Sequence, residues 1–156
     1  MDLACANLKA GFVFGKKSNS DSPIKIQQKM DATVNILNWF EISVSDIARA
    51  KKFYEAVFSI QMDQQEMMGM QMAFFPAVDM NGKVSGALVQ GPMHKPSAEG
   101  AVIYLNGNPD LAVALSRIEA AGGKVLMPKT HISADVGHMA FFTDTEGNRV
   151  ALHSNN

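Results

Sequence analysis

From residue 30 onward, apolar and polar positions follow two periods in a fixed order. Between Val34 and Val44 the period is two: Phe40, Ile42 and Val44 point one way, and Trp39, Glu41 and Ser43 the other. This predicts a strand with one apolar side and one chemically mixed side. Asp46 then precedes Ile47, Ala50, Phe53, Tyr54, Val57 and Phe58 at helical spacing, with Lys51, Lys52 and Glu55 between them. That pattern predicts a capped amphipathic helix whose charged residues face water. Strands are predicted over 61–67, 69–76 and 83–90, and Asp79-Met80-Asn81-Gly82 supplies the chemistry of a hairpin turn.

The second half repeats the order. A strand over 101–106 leads to a helix over 110–121 that turns Leu111, Ala114, Leu115 and Ile118 inward and stops at Gly122 and Gly123. Strands over 124–128, 138–143 and 149–153 follow, the last two joined by a turn at Asp144-Thr145-Glu146-Gly147-Asn148. One constant shift lays Asp46 on Asp110, Ala48 on Ala112, Ala50 on Ala114 and Glu55 on Glu119. Each half therefore reads β-α-β-β-β, and the duplication predicts an α+β fold of two pseudo-symmetric modules around a shared cavity.

Composition narrows the function. The chain has 156 residues, 47% of them hydrophobic and 19% charged, which suits one well-buried domain. A net charge of −1 offers no basic stripe for nucleic acid and no polybasic anchor for a membrane. No apolar run approaches the roughly 18 residues of a spanning helix. The lone Cys5 excludes an internal disulfide and a cysteine-cluster zinc site, and fits a reducing, cytoplasmic setting. Residues 1–29 stand apart: Lys16 to Pro23 is polar and turn-rich, so a loosely docked, dispensable extension is expected, with a short partner-binding or swapped arm as the alternative.

Five stretches, in this order and spacing, carry a resemblance: Phe40 to Asp46, Arg49 to Tyr54, Ala120 to Val125, Asp144 to Asn148, and Leu152 to Ser154. Together they resemble the vicinal oxygen chelate superfamily of glyoxalases, bleomycin-resistance proteins and extradiol dioxygenases. The resemblance implies one glyoxalase-like domain over 30–156, with module one at 30–92 and module two at 99–156. It also implies that the two four-stranded sheets curl into an open, cupped eight-stranded barrel with the helices outside. Such a fold hosts metal-dependent lyases, dioxygenases and metal-free binding proteins alike. Carried onto this chain, the family's metal-ligand positions fall on Trp39, Val102 and Ala151, and the fourth strand offers only Gln90. A catalytic metal takes about three protein ligands. The resemblance therefore implies that the metal site is missing, and no cofactor is expected; a divalent metal is disfavoured.

Strand alternation still turns chemistry inward: Glu41 and Ser43 on the first strand, Tyr104 and Asn106 on its symmetry mate, Arg149 and His153 on the last. Glu41 is the candidate general base, since an unpaired carboxylate in an apolar cavity has its pKa raised, and Tyr104 or His153 would position or protonate a substrate. Trp39, Ser43, Met72, Val102, Asn106, Arg149 and Ala151 are the candidate ligand contacts. Each has a plainer alternative: Glu41 paired with an Arg or Lys, His153 bonded across the sheet, Trp39 as lining or core. Met62, Met67, Met68, Met70 and Met72 form either a deformable pocket wall or a filler of core and dimer contacts. His94, His131 and His138 are scattered, and the segment from His131 through Asp135 to His138 is where a metal would be sought. The expected partner is a small, largely apolar or aromatic organic molecule, with a homodimer left open. Two functions are expected: a non-catalytic binding protein, or a lyase- or isomerase-type enzyme. A metal-dependent lyase or dioxygenase using other ligands stands as the alternative.

Overall fold

A computed structural model of the chain describes residues 35–77 and 83–156. The extension over 1–29 and the turn at Asp79 to Gly82 lie outside the described residues. Module one contains β1 (Trp39–Ser43), α1 (Ile47–Phe58), β2 (Asp63–Met67), β3 (Met70–Phe74) and β4 (Ser85–Gln90). Module two contains β5 (Tyr104–Asn106), α2 (Leu111–Leu115), β6 (Lys124–Ser133), β7 (Gly137–Thr143) and β8 (Arg149–Ser154). The sheets have the orders β1-β4-β3-β2 and β5-β8-β7-β6, with only the first pair of each parallel. The duplicated β-α-β-β-β order is thus present, as two open four-stranded sheets and not a closed barrel. No helix among the described residues is long and apolar enough to cross a membrane.

Both helices start as the periodicity predicts. The Asp46 carboxylate accepts a hydrogen bond from the Arg49 amide at 3.0 Å, and the Asp110 carboxylate accepts one from the Ala112 amide at 2.9 Å. Each satisfies a donor that the first helical turn leaves open. Ile47, Ala50, Phe53, Tyr54 and Val57 are the buried stripe of α1; burying a side chain the size of Phe53 or Val57 contributes roughly 1.5–3 kcal/mol. They meet Ile42, Ala73 and Leu88 from the first sheet, and Leu105, Phe142 and Leu152 from the second, in one core. The modules share their apolar interior.

Two elements differ from expectation. α2 ends at Leu115, although Ile118 stays fully buried. Past Leu115 the amides of Arg117 and Ile118 bond to carbonyls three residues back, which tightens the chain into turns. Gly122 at φ +99° and Gly123 then stop it; a Cβ on Gly123 would lie 2.7 Å from the Thr143 carbonyl oxygen. β6 runs on to Ser133, beyond the expected 128. Pro128 has no N–H to donate, and it falls where the pairing with β7 skips from Met127 to Thr130.

The turn at 144–148 docks the second module on the first. The Asp144 carboxylate accepts from the Tyr54 hydroxyl at 2.9 Å and from the amides of Glu146 and Asn148. Burial first, then the Asp144 charge and hydrogen bond, hold the Tyr54 pKa well above its ordinary value, so the phenol stays a donor. Asn148 donates to the Ser43 carbonyl at 2.8 Å and accepts from the Ser97 amide at 2.9 Å. Glu146, with no exposed side-chain surface, takes a two-pronged bond from Arg49 at 2.7 and 2.9 Å, plus the amides of Ser45 and Asp46 and the Ser45 hydroxyl. One five-residue turn thus grips β1, α1 and the linker between the modules.

Candidate functional site

Each sheet packs its helix on one face and turns the other, its open face, away from it, a face on which Met72, Ala87 and Val89 of the first sheet are themselves buried. On the first sheet the register places Trp39, Glu41 and Ser43 beside Ser85, Ala87 and Val89, with Met72 and Phe74 opposite. Trp39, Met70 and Phe74 pack around Met72, Ala87 and Val89 to make an apolar floor. On the second sheet Tyr104, Asn106, Arg149, Ala151 and His153 share the open face with Met139 and Phe141. Tyr104 and Phe141 flank Ala151 in register, and their rings meet edge to face at 5.8 Å. Ala151 is fully buried between them. Val102 lies partly buried just ahead of β5.

The inward-turned polar residues do not gather in one cavity among the described residues. Glu41, Ser43 and Arg149 border a cavity of about 170 Å³ at the module junction. Tyr104, Asn106 and His153 border another of about 410 Å³, walled by Ile132, Val136 and Met139. Trp39 borders a third, of about 350 Å³, with Phe74 and Phe75.

Glu41 is paired, though not with Arg149. His94 Nε2 lies 2.9 Å from one of its carboxylate oxygens, and Trp39 Nε1 donates to the other at 3.3 Å. His94 belongs to the linker, whose lack of periodicity hid this partner from the sequence. His94 Nδ1 is buried without a partner, and a Cβ on Gly91 would lie 3.2 Å from it. The pair with Glu41 thereby ties the linker to β1. His153 Nε2 bonds the Val136 carbonyl at 2.7 Å, across to the turn after β6. Asn106 Oδ1 accepts from the Asn108 amide at 2.9 Å. Tyr104 is half exposed at 49%.

The family's metal-ligand positions do not fit a cation. Trp39, Val102 and Ala151 offer no donor atom, and Gln90 pairs with Gln71 on the helix-covered face. Its side-chain oxygen accepts from the Ile47 amide at 2.9 Å, so it serves the start of α1. Among the described residues no three His, Cys, Asp or Glu side chains converge. His131 and His138 are paired across β6 and β7 with ring centroids 5.1 Å apart. Burial first, then Lys129 and His131, lower the His138 pKa against the pull of Asp110, which favours the neutral imidazole. The Lys129 ammonium is itself held 2.8 Å from Asp110.

Comparisons with known proteins agree with this architecture. A family model described as the Glyoxalase/Bleomycin resistance protein/Dioxygenase superfamily matches residues 36–152. The chain is 30% identical over 118 residues to a Mycobacterium bovis protein named "Putative glyoxylase CFP32", covering 74% of this chain and 44% of that one. It therefore spans less than half the length of that curated relative. Among solved structures, glyoxalase I from Zea mays superposes with a TM-score of 0.60 at 21% identity, over 75% of this chain and 45% of that one. TnmS3, an antibiotic-binding protein from Streptomyces sp. CB03234, gives 0.56 at 22%, over 79% and 98%. A glyoxalase/bleomycin resistance protein from Albidiferax ferrireducens T118 gives 0.60 at 16%, over 78% and 100%. At these identities the structural matches speak for the fold alone.

Proposed function

The chain belongs to the Glyoxalase/Bleomycin resistance protein/Dioxygenase superfamily, and within it we propose that this protein binds a small, largely apolar or aromatic molecule without a metal. The observation that carries the proposal is the makeup of the open sheet faces. They are floored by Trp39, Met70, Met72 and Phe74 on one sheet and by Tyr104, Met139 and Phe141 on the other. The family's ligand positions there hold Trp39, Val102 and Ala151. Apolar walls with a few polar groups suit shape-based capture of an organic ligand, and methionines let such a wall adapt to irregular outlines. The fold itself is compatible with such capture, since an antibiotic-binding protein shares it. A soluble homodimer, with one copy's open face covered by the other's, is part of the proposal.

The competing enzymatic reading needs a general base, and the commitment of Glu41 to His94 and Trp39 argues against it. Trp39 is the only tryptophan, so its fluorescence reports directly on the first open face. Titration with aromatic antibiotics, bleomycin among them, should give saturable quenching that persists in chelator. Quenching that appears only after zinc, nickel or manganese is added, or metal-dependent turnover of a glyoxal–thiol adduct, would establish the metal-dependent lyase instead. Turnover without metal that collapses in Glu41→Gln would restore Glu41 as a base.

A further inference from the structure

We infer that the junction between the two modules carries an oxyanion site built on Arg149, sized for a small monocarboxylate. This site is separate from the apolar sheet faces and does not rest on the function proposed for them.

Arg149 opens β8 opposite Thr143 and shares the open face with Ala151 and His153. Its side chain borders the cavity of about 170 Å³, together with Glu41, Ser43, Lys95, Ser97 and Glu99. Its Nε is buried and has no hydrogen-bond partner, and no ion pair among the described residues involves it. A guanidinium cannot shed its charge to escape this cost, as a lysine or histidine would. A buried donor left open in a folded protein is unusual and is commonly met by a water or an ion that enters from outside.

The neighbouring groups are committed elsewhere. Glu41 is engaged by His94 and Trp39. The Asn148 side chain spends its donors on Ser43 and Asp144 and its acceptor on Ser97. Ser97 Oγ accepts from the Glu99 amide, which leaves its own proton available. Lys95 and Glu99 also border the cavity, and no ion pair joins them among the described residues. What remains is a planar fork of N–H donors beside two serine hydroxyls, the arrangement that reads a carboxylate through paired, charge-assisted bonds. Two carboxylates already border the cavity, so a doubly charged anion is disfavoured against a singly charged one. The volume suits an acid of about two to four carbons.

The test follows the Arg149 Nε–H resonance and the melting temperature of the full chain as sodium acetate or sodium pyruvate replaces sodium chloride at constant ionic strength. A saturable shift of that resonance and a rise in melting temperature are expected. Arg149→Lys should weaken binding at least tenfold and Arg149→Gln should abolish it, with inorganic phosphate leaving the wild-type resonance unmoved. If Arg149→Gln does not fold, the wild-type resonance decides alone. No saturable shift with either acid, binding unaltered in Arg149→Gln, or phosphate binding as tightly as the acids would overturn the site.

Discussion

Glu146 shows how one side chain can hold a large share of the contact between modules. Burial alone would raise its pKa, yet the bonds from Arg49, from the Ser45 hydroxyl and from the Ser45 and Asp46 amides outweigh it and lower the value from 4.5 to about 2. A carboxyl depressed in the folded state stabilises the fold fully above its ordinary value, and that stabilisation is lost as pH falls from about 4.5 toward about 2. The shift corresponds to about 3 kcal/mol. Chemical denaturation followed between pH 6 and pH 2 should therefore show the wild type losing about that much more stability than Glu146→Gln, whose curve should be flatter in this window. At this scale alternation correctly turned Glu41, Ser43, Tyr104 and Arg149 to the open faces, because a strand's period is fixed by its backbone. It did not reveal that His94 meets Glu41, since the partner lies 53 residues away in a segment without a period. The sequence leaves Gln90 as the one candidate metal donor on the fourth strand. Its parity with Leu88 puts it on the helix side, where the Ile47 amide claims it.

The link between β2 and β3 holds an element-scale cost. Met67 pairs with Met70, so Met68 and Gly69 form a two-residue loop, with φ of +54° and +75°. That backbone is the mirror-image turn that favours Asn-Gly, and an L-residue such as methionine adopts it at a cost of about 1–2 kcal/mol. Met68 is 89% exposed, so nothing is gained from its side chain. Met68→Asn should raise stability by about 0.5–1 kcal/mol and the melting temperature by about 2–4 °C, measured by calorimetry. The helix starts were legible because Asp46 and Asp110 combine a capping side chain with the onset of helical spacing. The early end of α2 was not, because Ile118 keeps its helical position in the sequence while the backbone tightens beneath it. The extension of β6 was hidden for a related reason: Pro128 marks a pairing skip and not a strand end.

At the scale of the molecule the duplication was the clearest signal, since each module repeats the same short-range periods in the same order. How the modules meet was less legible. Asp144 to Asn148 has the residues of a turn, but its grip on Ser43, Ser45, Arg49, Tyr54 and Ser97 depends on contacts across the whole domain. The two open faces give the proposal a consequence for assembly: sedimentation equilibrium should return twice the 16.9 kDa chain mass. A monomer at micromolar concentration would remove the covered-face arrangement while leaving each face able to bind alone. The central claim is that the open faces, and not a metal centre, receive the ligand. Methyl resonances of the methionines test it most directly, because Met70, Met72 and Met139 lie on the open faces, whereas Met62 is buried in the core beneath α1. On adding an aromatic antibiotic that quenches Trp39, in the presence of chelator, the account predicts saturable shifts at Met70, Met72 or Met139 with Met62 unmoved. Shifts that require added metal, or quenching that leaves all three open-face methionines unmoved, would contradict it.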